Sequence, residues 1–386
     1  MSESYSQKRG AELPGVCVVT MRGNATPQNA TKLLLNVLSE LTAVSLVTVE
    51  LSEDSEIPDE YDVSEISKGS TGSNIFSTIF LFLLNQVRIC SEIQRTDEEV
   101  IYFFGGLAYV APVLFSKVLG KTVVVQPRGD VPLTLRLGWE EQFPVVVARI
   151  LGGAVRFLEK ITAKVSDRIV TYTPAMAKEL GFDEFEDKLY PDGTRYIETD
   201  QFAPTMPYED RERRVGMIGR LDIEKGVENL SDAAKMMSSE TEFLFVGDGE
   251  LRDDLESNLK DEIRRDRIHI TGWVDHDKIS EYLNQMKLLV LASEPTEGLP
   301  TVIQEAFACG TPVYATPVSS VPDVVKQGET GFHMNDRDPQ RIAEEIEEIL
   351  DRNDLSNISE NCRKFAVNTY SFSASVDRFH KLLANL

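Results

Sequence analysis

The sequence predicts an α/β protein made of two doubly wound, parallel-sheet domains in series, and three observations carry that prediction. The chain has 386 residues, longer than a single core usually grows. Short apolar runs alternate with stretches of helical spacing in both halves, as βαβ units require. The alternation breaks once, around Phe202 to Pro207, where two prolines and the charged run Glu209 to Arg214 precede a fresh strand at Val215.

Val16 to Met21, Ala43 to Leu51, Val100 to Phe104, Thr122 to Gln126 and Arg168 to Tyr172 read as strands of the first half. Ala30 to Leu41, Ile75 to Ile93 and Tyr109 to Val118 repeat apolar residues at helical spacing and belong on the faces of that sheet. The stretch Ile75 to Val87 is strongly apolar, but Ser77, Thr78, Asn85 and Gln86 interrupt it, so it is expected to be a core helix. The second half restarts with strands at Val215 to Ile218, Glu242 to Val246, Ile268 to Thr271, Lys287 to Ala292 and Pro312 to Ala315. Helices are expected at Val227 to Met237, Leu251 to Ile263, Lys278 to Gln285, Thr301 to Cys309 and Pro339 to Asp351. Domain boundaries follow at 1–204, 205–365 and a closing segment 366–386, with a ligand expected in the cleft between the sheets, at strand carboxyl ends.

Composition narrows the partners. A formal charge of -23 disfavours nucleic acid, because phosphate binding needs a basic surface. The acidic balance, with arginine exceeding lysine, suits a halophilic protein that stays soluble in concentrated salt. The four cysteines (Cys17, Cys90, Cys309, Cys362) lack metal-ligand spacing, and the polar first fifteen residues carry no apolar export signal, so a cytoplasmic location is expected. Residues 117–178 depart from the average, with ten Lys or Arg against five Asp or Glu. With Trp139, Phe143 and the apolar stretch Pro144 to Leu158, they form either a surface for anionic headgroups at the inner membrane face or a buried helix edged by solvated cations.

Two constellations carry chemistry. In Gly219-Arg220-Leu221-Asp222-Ile223-Glu224-Lys225-Gly226, between a strand and a helix, Arg220 and Lys225 can converge on one anion while Gly219 lets the backbone turn closely. Two such cations suit a diphosphate leaving group without a metal. In Glu297-Gly298-Leu299-Pro300-Thr301-Val302-Ile303-Gln304-Glu305, Pro300 and Gly310 mark a helix whose first-turn amides form an anion site. Glu305 lies about 7.5 Å along the axis from Pro300, at 1.5 Å per residue, where it can accept hydrogen bonds from a ribose; Glu297 would face a sugar ring.

These motifs are similar to those of retaining glycosyltransferase family 4, of the GT-B fold. The matching pieces are Gly219-Arg220-Leu221 with Lys225-Gly226, Val246-Gly247-Asp248-Gly249, Gly272-Trp273-Val274, Glu297 with Glu305, and Gly310-Thr311-Pro312-Val313. The resemblance implies two Rossmann-like domains facing across a cleft, the first taking the acceptor and the second a nucleotide-diphosphate sugar as co-substrate, with no cofactor or metal. It implies diphosphate binding by Arg220 and Lys225, ribose binding by Glu305 and contact of Glu297 with the transferred sugar. Gly219, Gly247, Gly298, Leu299, Thr301 and Val302 complete the donor pocket. Towards the sugar or acceptor it points to Gly23, Gln126 and Arg128, although many members carry a histidine there and all four histidines of this chain (His269, His276, His333, His380) lie in the second half. Asp192-Gly193-Thr194 matches the approach to the linker, with aspartate where asparagine is usual, and Tyr370-Ser371-Phe372 resembles the segment that leads a final helix back to the first domain. The implied activity is transfer to a glycan or lipid-linked acceptor in polysaccharide synthesis. A silent carbohydrate-binding protein and a nucleotide-sugar 2-epimerase share the fold. A dehydrogenase is disfavoured by the absence of GxGxxG, a glycosidase by the cations beside the carboxylates, and the DxD pairs at Asp275 to Asp277 and Asp336 to Asp338 read as surface turns.

Overall fold

A computed structural model describes residues 13–20, 25–52, 55–66, 75–140, 142–294, 296 and 298–386. Gly23 and Glu297 of the expected site, and Met21 at the end of the first expected strand, lie outside the described residues. The chain divides into two compact units: Met1–Tyr172 with Ala177–Arg195 and Ser375–Leu386, and Tyr196–Ala374 with Thr173–Met176.

The first unit runs β1 (Val16–Thr20), α1 (Ala25–Ser39), β2 (Val44–Thr48), α2 (Ile57–Glu60), β3 (Asp62–Glu65), α3 (Ile75–Ile93), β4 (Val100–Gly105), α4 (Val110–Val118) and β5 (Thr122–Pro127). It continues through α5 (Val131–Glu140), α6 (Val145–Val165), β6 (Arg168–Val170), α7 (Pro174–Glu179) and β7 (Leu189–Tyr190). All strand pairs are parallel, in the order β3-β2-β1-β4-β5-β6-β7. Val16, Cys17, Val18 and Val19 of β1 are fully buried, as a central strand covered on both faces must be. The chain walks from β1 to β3 in one direction and from β4 to β7 in the other, so right-handed crossovers place α1 and α2 on one face and α3, α4 and α6 on the opposite one. β3 and β7 were not legible: β3 is Asp-Val-Ser-Glu, an edge strand with no apolar alternation, and β7 has two residues.

The expected core helix at Ile75 to Val87 needs correction. α3 forms as expected, but Phe80 and Val87 are 65% and 66% exposed. A helix of an outer layer buries only the stripe against the sheet, here Ile89 and Ile93 with Gln86. Leu83, at 55% exposed, faces outward with Phe80 and Val87.

The second unit contains β8 (Arg214–Ile218), α8 (Val227–Met236), β9 (Glu242–Val246), α9 (Arg252–Asn258), α10 (Lys260–Arg264), β10 (Ile268–Ile270), α11 (Ile279–Gln285), β11 (Leu288–Leu291) and α12 (Thr301–Ala308). After these come β12 (Val313–Ala315), α13 (Val321–Val324), β13 (Gly331–His333), α14 (Pro339–Leu350), α15 (Leu355–Tyr370) and the start of α16 (Phe372–Leu383). Its six parallel strands follow the order β10-β9-β8-β11-β12-β13. The segment Phe202 to Pro207 lies wholly in this unit: Phe202 is buried, and the Arg363 guanidinium donates to its carbonyl at 2.8 Å.

Candidate active site

The strand order of the second sheet reverses between β8 and β11, since β9 and β10 lie to one side and β12 and β13 to the other. In doubly wound sheets such a reversal opens a crevice at the strand carboxyl ends, because the two following connections diverge. The two connections here are Gly219 to Gly226, after β8, and the segment from Ala292 to Pro300, after β11. They are the two motifs singled out in the sequence, and they touch. The Glu294 amide donates to the Glu224 carbonyl at 2.8 Å. Gly226 has φ +66°, and a Cβ there would stand 2.5 Å from the Ala292 carbonyl oxygen, so only glycine allows the approach.

The first loop is shaped from within. The Asp222 carboxylate accepts from the Lys225 amide at 3.0 Å and caps a short 3-10 turn that brings Lys225 back over the strand end. Lys225 Cε lies 3.9 Å from where a Gly219 Cβ would be, so the lysine stem passes across the glycine. Arg220 folds onto acids of its own loop, 2.8 Å from Asp222 and 3.5 Å from Glu224, with two-thirds of its side chain exposed at 66%. With its own side chain in solvent, Arg220 is held weakly by these pairs, although Asp222 is buried, and yields readily to a multiply charged anion.

Glycines at the ends of β8, β9 and β10 let three strand ends crowd together. A Cβ on Gly247, at φ +140°, would meet the Gly219 carbonyl oxygen at 1.9 Å, and one on Gly249 would meet Leu221 at 2.4 Å. The Leu221 amide donates to Asp248 and the Leu251 amide to Leu221, tying the same loops.

α12 begins at Thr301 with Pro300 in the cap position, and Cys309 ends it before Gly310 at φ +68°. Gly298 and Leu299 precede it, with Leu299 buried, and the amides of Thr301 and Val302 stand in a first turn that has no intrahelical acceptors for them. Glu305, one turn further, is 4% exposed. One carboxylate oxygen lies 2.7 Å from His276 Nε2, and the His276 ring packs on Phe202 at 5.4 Å between centroids. The hydrogen bond to Glu305 raises the His276 pKa above its ordinary value. A carboxylate accepts about four hydrogen bonds, so this contact leaves capacity for ribose hydroxyls. His276 had no signal of its own in the sequence; it stands within the Asp275 to Asp277 turn, whose acids alone stood out. The other DxD pair has a structural job: the Asp338 side chain caps α14, and Asp336 accepts from the Asp338 amide.

Residues 200–369 match the family model described as glycosyl transferases group 1. They are a group 1 glycosyltransferase domain. The chain is 28% identical over 294 residues to the alpha-D-kanosaminyltransferase of Streptomyces kanamyceticus, covering 71% of this chain and 73% of that one. It is 27% identical over 251 residues to the Escherichia coli UDP-Gal:alpha-D-GlcNAc-diphosphoundecaprenol alpha-1,3-galactosyltransferase, covering 60% and 63%. Among solved structures, Anabaena HepE in complex with UDP superposes with a TM-score of 0.73 at 15% identity, over 96% of this chain and 100% of that one. Sucrose-phosphate synthase from Thermosynechococcus elongatus gives 0.71 at 18%, over 96% and 98%. The two parallel sheets with their helices are therefore the GT-B type of fold.

Gln126, Arg128 and Asp192, also singled out in the sequence, belong to the first unit. Gln126 is 1% exposed and both ends of its amide are engaged, accepting from Tyr102 Oη at 2.6 Å and donating to the Gly193 carbonyl at 2.8 Å. It ties β4, β5 and the segment after β7 together. Arg128, just past β5, lies over the Phe104 ring at 5.6 Å. Asp192 is partnered by Arg378 at 3.4 Å, and burial raises its pKa against the lowering effect of that arginine. A cavity of about 1010 Å³ opens at the opposite, amino-terminal ends of β2 and β4. Glu40, Asp62, Glu92, Glu98 and Glu99 line it, which disfavours an anionic ligand there.

Proposed function

We propose that the chain is a retaining, metal-independent glycosyltransferase of the hexosyl type that moves a sugar from a nucleotide-diphosphate sugar to an acceptor hydroxyl. One observation carries the reading: the β8 loop with Arg220 and Lys225 is hydrogen-bonded to the segment that leads into α12, whose first turn and Glu305 complete an anion-plus-ribose constellation. Arg220 and Lys225 take the diphosphate, with Gly219 and Gly247 allowing close approach and Gly298, Leu299, Thr301 and Val302 supplying the helix-tip amides. Glu305 holds the ribose, and Glu297 with Arg128 and Gly23 belongs to the sugar and acceptor side, with Gln126 bracing the end of β5 through its bonds to Tyr102 and Gly193.

In the reaction the anomeric carbon–phosphate oxygen bond breaks as the acceptor oxygen bonds to that carbon from the same face. The acceptor proton passes to the departing phosphate, so no protein nucleophile or base is required. Negative charge grows on the leaving diphosphate, where two fixed cations and a helix tip stabilise it most. The acceptor is a lipid-linked glycan or surface polysaccharide precursor, which places the enzyme in the cytoplasm, peripheral at the inner membrane face. The charge of -23 is an adaptation to concentrated salt.

The test is a thermal-shift screen of nucleotide sugars, followed by turnover with polyprenyl-phosphate and free-sugar acceptors and assignment of the product anomer by NMR. Stabilisation by a nucleotide-diphosphate sugar and a product of unchanged anomeric configuration are expected. Isomerised sugar without acceptor would identify an epimerase instead. Donor binding without turnover across the acceptor panel would leave a silent binding protein.

A further inference from the structure

α3, α4 and α6 cover one face of the first sheet, α3 packing on α4 and α4 on α6. The outer side of this layer is apolar over all three helices. Phe80 and Val87 of α3, Val118 of α4, and Val146, Ile150 and Phe157 of α6 are each 64–83% exposed. On α6 these positions recur at i, i+4 and i+11, one face of a helix, while Ala148 and Gly152 between them are buried. Isolated exposed apolar residues are ordinary; six strongly exposed ones on three helices packed in series are not.

Charge selects the occupant. In a chain of -23, no acidic residue occurs at 75–91, 100–129 or 142–158. Those stretches contain all six of the exposed apolar residues, and Glu92, near the end of α3, is paired with Arg95 at 2.7 Å. Glu159, the one acid within α6, is 3% exposed. Arg149 and Lys164 are exposed on α6 and make no ion pair among the described residues, whereas Lys117 and Lys160 pair with Asp167 and Glu184 at 2.7 and 2.8 Å. Acids elsewhere are screened beyond about 8 Å at physiological ionic strength, so the local balance decides what approaches. A second copy would bring no negative charge on this face. No helix among the described residues is long and apolar enough to cross a membrane.

We propose that the outer face of α3, α4 and α6 is a docking surface that lies on an anionic lipid bilayer, Phe80, Val87, Val118, Val146, Ile150 and Phe157 entering the acyl boundary and Arg149 and Lys164 meeting the headgroups. The assignment extends the peripheral location given above from residues 117–178 to a specific face that includes α3. It rests on the transferase reading only for its purpose, which is to bring the enzyme to a lipid-borne acceptor.

The experiment is flotation of the full chain with phosphatidylglycerol-containing vesicles and with phosphatidylcholine vesicles, without donor or acceptor. The parent chain, the doubly substituted Ile150→Asp/Phe157→Asp variant and a Met236→Asp control at an exposed apolar site of the second unit are compared, each with its melting curve. Expected are at least threefold stronger binding to anionic vesicles than to neutral ones, a tenfold or greater loss in the double variant and parent-like binding by the control. Equal binding by parent and folded double variant, or no binding by the parent, would overturn the proposal. So would a concentration-dependent dimer that the double variant abolishes, since the face would then join two copies. A milder Arg149→Gln/Lys164→Gln variant keeps the test decisive if the double variant fails to fold: it must lower the anionic preference. Because no sugar donor is present, a negative result here is separate from failure of the transferase reading.

Discussion

At the scale of single residues, Arg220 and Lys225 differ in how the fold holds them. Arg220 lies on Asp222 and Glu224 of its own loop, while the Lys225 stem crosses Gly219. Arg220→Ala and Lys225→Ala should each lower turnover at least tenfold, about 1.4 kcal/mol of transition-state stabilisation, with circular dichroism unchanged. Near-normal rates in both would remove them from the reaction. Glu305→Ala should raise the donor dissociation constant, measured by calorimetry, more than it lowers turnover. His276 allows a prediction in pH. Its folded-state pKa lies above the ordinary imidazole value, so the native state retains a proton that the unfolded state releases. The stabilisation by the His276–Glu305 pair is therefore complete below about pH 6.5 and fades as pH rises through the higher folded value. The melting temperature of the parent chain should exceed that of His276→Gln at about pH 6, with the gap closing towards about pH 9; a gap independent of pH would contradict the ion pair.

At the scale of elements, the site depends on how closely three strand ends and two loops approach. Gly226 and Gly328 both have positive φ, but a Cβ on Gly226 meets Ala292 at 2.5 Å whereas one on Gly328 meets nothing within 4 Å. Gly328→Ala should cost about 1–2 kcal/mol from backbone conformation alone. Gly226→Ala adds a backbone collision and should cost more in denaturant titration, and donor affinity should weaken with it, because the loop must move away from the β11 end. Equal costs for the two would mean that the loops are less tightly joined than the Glu294–Glu224 hydrogen bond indicates.

At the scale of the whole molecule, net charge matters more than any pair. With 63 acidic and 40 basic side chains, self-repulsion opposes folding in dilute buffer. At 1 M salt the Debye length falls to about 3 Å, which removes that repulsion yet leaves contacts of hydrogen-bond length. The melting temperature should rise between about 0.1 and 1 M potassium chloride while donor affinity changes little. A steep loss of donor affinity over that range would show that long-range steering, rather than the close contacts of Arg220 and Lys225, holds the diphosphate.

By itself the sequence determined what local chemistry can write down: buried strands such as Val16–Thr20, the start and stop of α12 at Pro300 and Gly310, and a loop with Gly219, Arg220 and Lys225 and a helix with Glu305 at meaningful spacing. Strands with little apolar signal, Asp62–Glu65 and Leu189–Tyr190, escaped it because their place at the sheet edge is fixed by neighbours. Only the tertiary structure decided that β8 lies beside β11, which joins two loops some seventy residues apart in the chain, since strand order is a property of crossovers and not of spacing. It also decided that His276 reaches Glu305 across 29 residues. And it turned Phe80, Leu83 and Val87 of α3 outward, because a helix on a sheet has one face to bury and the sequence does not say which neighbours will cover the other.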